Sequence, residues 1–218
     1  PYFLSQIVAI PLWFKLSAKI GKHRATMVAI FWYALWSCFI PLIAMAPQIW
    51  FEAFELSKTL AFLPDSWLLG LNERFEGIPT GKFAFFIGVM CLKGSAIGAL
   101  SALPYAMAAD VIDLDSARTG KRQGGAYFSI WTMTRKLAYA AGLIVGTTAA
   151  TIVGLNSLAD PINTPNSDYS LLWLACLYSI VPAIFKFVAM PLLWNYSLTE
   201  EKLAEIQEEI DASKAVTT

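Results

Sequence analysis

The chain has 218 residues, of which 57% are apolar, 14% aromatic and only 15% charged, where an ordinary soluble domain has about a quarter of its residues charged. This composition excludes a soluble globular class and defines an all-α integral membrane protein. The formal net charge of zero argues for neither a nucleic-acid partner nor an acidic substrate surface.

In chain order, the apolar run 2–14 falls short of the roughly 20 residues that a spanning helix needs. Residue 1 is Pro1 rather than Met, so the first helix, 1–14, is expected to be truncated and no signal peptide can be read. A basic turn follows with Lys15, Lys19, Lys22, His23 and Arg24, and then a full span over 25–46 that Pro47 ends. Residues 47–82 mix aromatic side chains such as Trp50, Phe54 and Trp67 with Glu52, Glu55, Asp65 and Glu73. This insertion cannot cross hydrocarbon; its aromatics suit an interfacial helix, and an ordered surface loop fits equally well.

Three further spans are expected over 83–107, 124–155 and 169–194, the last two separated by a polar turn that contains Pro161 and Pro165. Residues 1–194 thus form one transmembrane bundle. Beyond it, Ser197 and Glu200 have capping-box spacing, and Leu203, Ile206 and Ile210 recur at helical intervals, which predicts a surface tail helix within 195–218. Cys38, Cys91 and Cys176 all fall inside apolar runs. An odd, dispersed set suits packing rather than disulfides or a metal.

Charge placement gives orientation. Nine cations (Lys15, Lys19, Lys22, Arg24, Arg118, Lys121, Arg122, Lys202 and Lys214) lie on one side, and Lys58, Arg74 and Lys82 on the other. The positive-inside bias places the nine in the cytoplasm, with the C-terminus there and the insertion outside. Between the third and fourth spans, Asp110 and Asp113 share a helix face and stand opposite Arg118, Lys121 and Arg122. They read either as a solvated charged loop or as a latch of ion pairs, each contributing about 0.2–1 kcal/mol and therefore easily reversed.

Lys93, Arg135, Lys136 and Lys186 fall inside or at the edge of spans, with no carboxylate beside them. A cation at mid-bilayer costs about 2.5–3.5 kcal/mol, so each must reach an interface or find a partner. Lys186 is near enough to the cytoplasmic end to snorkel. Lys93 lies deeper and suits either a packing contact or a functional one. Arg135 and Lys136 sit at the boundary if the span is 137–155, and well inside if the helix starts near Gly124. Adjacent residues differ by about 100° around a helix, so at most one of the two can face a central cavity. Small residues in Gly94-x-x-x-Gly98 and Gly142-x-x-x-Gly146 allow close helix contact.

Several of these stretches resemble one transporter family. Leu103-Pro104-Tyr105-x-Met107-x-Ala109-Asp110-Val111-Ile112-Asp113, then Thr119-Gly120-Lys121-Arg122-x-x-Gly125, then Tyr127-x-Ser129-x-x-Thr132 and Lys136 are similar to the second-half signature of the glycoside-pentoside-hexuronide:cation symporters. That family is the melibiose-permease-like branch of the major facilitator superfamily. Pro11-Leu12-Trp13-x-Lys15-Leu16-Ser17 and Tyr196-x-Leu198-Thr199-Glu200-Glu201 agree with it.

The resemblance implies the C-terminal half of a major-facilitator-type twelve-helix transporter, from the end of the eighth helix to the twelfth, with one truncated and four complete transmembrane helices. It implies Asp110, Asp113 and Arg122 in a cytoplasmic gate, and Lys136 facing the substrate and coupling cavity with Thr132 one turn away. Trp131 stands where melibiose permease has a polar side chain, and an indole there either stacks on a sugar ring or narrows the cavity. The insertion at 47–82 is longer than the turn usual in the family.

The function this implies is sugar or glycoside symport with Na+ or H+ by alternating access in a bacterial inner membrane. No cofactor is expected, because the ion-binding carboxylates belong to the N-terminal half, which is also the expected partner. A lysolipid or another organic solute is an alternative cargo. A non-transporting assembly subunit is an alternative of another class. An integral-membrane enzyme is disfavoured, since His23 is the only histidine and no cluster of acids, cysteines or histidines forms inside the spans.

Overall fold

Hydrocarbon cannot satisfy backbone N–H and C=O groups, so apolar runs of this length have one economical solution, the α-helix. The computed structural model describes residues 2–47, 49–51, 80–121, 123–158, 165–194 and 205, and places five long helices among them: α1 (Tyr2–Ile20), α2 (Lys22–Met45), α3 (Thr80–Thr119), α4 (Gly124–Ile152) and α5 (Asp168–Trp194). Most of the expected insertion and the tail helix lie outside the described residues. Four helices, α1, α2, α3 and α5, are long and apolar enough to cross a membrane. α4, at 29 residues, has the length but is more polar.

Two boundaries differ from the sequence expectation for a shared reason. α1 does not stop at residue 14 but continues past Lys15 and Lys19 to Ile20. α3 does not end at residue 107 but runs through Asp110, Asp113 and Asp115 to Thr119, 40 residues in all, or about 60 Å at 1.5 Å per residue. A charge marks where a helix leaves hydrocarbon, not where its hydrogen bonding stops. Leu103 and Met107 are buried on one side of α3 and Ile112 on another, where it lies against the start of α4 at Gly124, so packing carries the helix through the charged segment. The charged hinge contracts to a short turn at Gly120, whose φ of +66° is a conformation that glycine adopts freely.

The bundle is built from α1, α2, α3 and α5, with α3 against both α1 and α2, and α2 against α5. Close approach of α1 and α3 depends on two glycines. A Cβ on Gly94 would lie 2.7 Å from the Tyr2 carbonyl oxygen, and one on Gly98 would lie 2.6 Å from that of Gln6. Indole groups tie α3 to both neighbours, Trp13 Nε1 on α1 donating to the Ser95 carbonyl at 2.8 Å and Trp32 Nε1 on α2 to that of Leu92 at 3.0 Å. Ala25, Ala29, Ala99 and Leu103 form one small-residue core, and Ile40, Ile43, Phe51 and Val89 a second nearer the other end. At that end Lys82 Nζ donates to the carbonyls of Ala44 and Ala46, both at 3.1 Å, satisfying acceptors that the end of α2 leaves open.

α4 stands apart. It has no buried residue and touches only α3 and α5 lightly. The three cysteines are free, with Cys91 and Cys176 half-buried; Cys38 is exposed and so is not the packing residue expected.

Candidate functional site

The charged end of the bundle has a partnership that the sequence reading did not anticipate. Asp110 accepts two hydrogen bonds from Lys22 Nζ, at 2.9 Å and 2.8 Å. The expected partners Arg118 and Lys121 are both exposed. Arg122 lies outside the described residues. Asp113 is half-buried three residues along from Asp110. Lys22 reaches Asp110 because Gly21, at φ +88°, turns the chain sharply between α1 and α2 and starts α2 beside the charged end of α3. Thr26 hydroxyl, donating to the Lys22 carbonyl at 2.8 Å, fixes that first turn. A lysine one residue after a turn glycine, at the same end of the bundle as an aspartate, was the available signal.

α4 starts at Gly124 in one continuous helix, so Arg135 and Lys136 stand about 17 and 18 Å along it. The helix start near Gly124 agrees with the second of the two sequence readings. Thr132 and Lys136 share one open face of α4 with Gly125, Ser129 and Met133. Its polar stripe, Ser129, Thr132 and Lys136, follows i, i+3, i+7 spacing, and all three residues are exposed.

Trp131 does not join that stripe. Five residues from Lys136, it points about 140° away around the helix, toward the bundle. There its ring lies 5.5 Å from Tyr105 and lines a separate cavity of about 480 Å³ among α2, α3, α4 and α5. The expected trio is therefore two residues on one face and one on the other. The indole Nε1 is buried with no hydrogen-bond partner.

Arg135 is held by two tyrosines. It donates to Tyr105 Oη on α3 and, at 2.9 Å, to Tyr139 Oη one turn on, with its guanidinium 5.7 Å from both ring centroids. This is the specific polar bridge between α4 and α3, and Tyr105 is the residue that sequence reasoning passed over.

Lys186 turns inward. Its Nζ lies 4.0 Å from the centroid of the Tyr33 ring. Lys93 is 1% exposed, with its Nζ 4.9 Å from the Tyr33 centroid and 4.1 Å from that of Tyr178. Ring faces attract cations by about 0.5–2 kcal/mol, which offsets part of the burial cost but supplies no counter-charge. Among the described residues no group of three or more His, Cys, Asp or Glu forms a metal site.

Long apolar helices, a charged pair clamping two of them at one end, and a polar stripe on a more loosely held helix define an integral membrane protein of the helical transporter class. Residues 1–200 match the family model for MFS/sugar transport proteins, and the chain belongs to that family, whose members are transporters rather than enzymes. It is 32% identical over 80% of its length to an Escherichia coli glucuronide carrier protein homolog, and covers 37% of that protein. It is 26% identical over 71% of its length to an uncharacterized symporter of Synechocystis, covering 29% of it. It is 27% identical over 73% of its length to a Salmonella typhimurium protein provisionally named a sulfoquinovose importer, covering 33% of it. The chain thus spans about a third of the length of these relatives. No solved structure gives a significant match.

Proposed function

We propose that this chain is part of a secondary transporter for a sugar-like solute that bears an acidic group, driven by Na+ or H+ through alternating access, in a bacterial inner membrane with the C-terminus cytoplasmic. The observation that carries the reading is the stripe Ser129, Thr132 and Lys136 along one open face of α4. A polar, cationic stripe facing lipid costs several kcal/mol, so ionisable residues at this depth belong beside a solute path. Lys136 then binds or screens an anionic solute group, Thr132 supplies a hydroxyl to it, and Lys22 with Asp110 and Asp113 forms the cytoplasmic closure.

An acidic solute is favoured over a neutral one because, in the middles of the described spans, the charges are Lys93, Arg135, Lys136 and Lys186, with no carboxylate among them. The names of the relatives, a glucuronide carrier homolog and a sulfoquinovose importer, agree in describing acidic sugars. The coupling ion is held outside these spans, by the remainder of the full-length carrier.

Uptake of a radiolabelled hexuronide into vesicles containing the full-length carrier, under an imposed Na+ or pH gradient, tests this. Gradient-driven uptake competed by other sugar acids, and reduced at least about tenfold by Lys136→Ala, is expected. Uptake that lysolipid competes and sugar acids do not would overturn the solute class, and wild-type uptake by Lys136→Ala would overturn the site.

A further inference from the structure

A second pocket with its own donors lies behind the transport face. The cavity of about 480 Å³ among α2, α3, α4 and α5 is within the roughly 300–1,000 Å³ usual for small-ligand sites. Its walls are apolar, including Ile30, Leu100, Met107 and Leu193. Among its lining residues Thr26, Tyr127, Trp131 and Lys186 carry polar groups. Trp131 Nε1 is buried without an acceptor, and Lys186 lines the wall while its ammonium rests on Tyr33. Lys93, 1% exposed, stands over the same Tyr33 ring.

Two ammonium groups thus share one aromatic ring, and their described neighbours offer ring faces rather than an oxygen acceptor. Buried charges are ordinarily paired, and a buried N–H ordinarily finds an acceptor. One anionic head answers both deficits. The charged and polar groups around the pocket are the two lysines, the Tyr33 ring, Trp131, Tyr127 and Thr26, whose hydroxyl is already engaged with the Lys22 carbonyl.

We propose that this cavity binds an amphipathic monoanion. Its carboxylate or sulfonate oxygens accept from Lys186 and Trp131 Nε1, Lys93 adds its charge from behind Tyr33, and an apolar body fills the space between α2, α3 and α4. The site lies across α4 from Lys136 and does not depend on the transport reading. Such a ligand arrives either from water or, as a fatty acid, from the bilayer.

Calorimetric titration of the full-length carrier in phosphatidylcholine nanodiscs with 2-naphthalenesulfonate, corrected for empty nanodiscs and without any ion gradient, tests it. One saturable site is expected, with affinity falling at least about tenfold in Lys186→Met and in Lys93→Met, retained in Lys186→Arg, and about tenfold weaker for the uncharged 2-naphthalenemethanol. Lys136→Ala is expected to abolish uptake yet bind the sulfonate as wild type does, which separates this site from the transport path. Equal binding by Lys186→Met, equal binding of the alcohol, or no saturable binding would overturn the proposal. Mass spectrometry of lipid extracts assigns the source: a fatty acid that co-purifies one-to-one with wild type and is lost from Lys186→Met comes from the bilayer, and sulfonate binding with no co-purifying acid indicates a water-borne ligand.

Discussion

Lys22 and Asp110 are 88 residues apart in sequence and meet through two hydrogen bonds with side chains only 25% and 14% exposed. Exposed ion pairs contribute about 0.2–1 kcal/mol, and the shielding here favours the upper part of that range. A double-mutant cycle of Lys22→Ala and Asp110→Ala, read by thermal unfolding of the purified carrier, is expected to give a coupling energy of about 1 kcal/mol. Additive single effects would mean that the pair is incidental. Asp110 stood out in the sequence because two aspartates stand together at a helix face. Its partner did not, because opposite charges abound at this end of the chain and only the tight turn at Gly21 selects Lys22 among them. For Trp131 and Lys136 the sequence did contain the answer, since their spacing fixes the angle between them. Placing both in one cavity ignored it.

At the scale of elements, the α1–α3 contact rests on glycines and the α3–α4 contact on side chains. Gly98→Val would push a methyl group into the Gln6 backbone, and inserting bulk into a packed contact costs about 1–3 kcal/mol. The variant is expected to unfold several degrees earlier than wild type, measured by thermal denaturation in detergent. The same change at Gly142, which has nothing within 4 Å of its Cβ position, is expected to have no effect in this part of the chain. The motif spacing was identical in the sequence, so only the packing separates the two. Helix ends were the least legible feature. α1 and α3 both pass through lysines or aspartates that delimit a membrane span but do not break a helix, and buried Ile112 holds α3 together beyond them. For Arg135 the sequence gives no hint that Tyr105, on another helix, comes within reach.

At the scale of the whole molecule, four of the five described helices pack and one is lightly attached. Local stability follows buried contacts, so backbone amides of α4 are expected to exchange with deuterium markedly faster than those of α3 in the isolated chain, as read by mass spectrometry. Comparable protection of the two helices would contradict the loose attachment. All-helical membrane architecture was plain from composition, and the family from the motif running from Leu103 to Lys136. The surface that α4 turns outward is where the transport reading places the solute path, and here the chain's own packing and its function meet: a helix that must line a changing passage cannot also be locked into a core.

The most direct test of that claim is thiol labelling in the full-length carrier, with its native cysteines replaced and single cysteines placed at 132, 136 and 131. Positions 132 and 136 are expected to react with a membrane-impermeant maleimide and to be protected by the transported sugar acid, while position 131, on the opposite side of α4, reacts slowly and is not protected by that solute. Unreactive cysteines at 132 and 136, or equal solute protection at all three positions, would contradict the account.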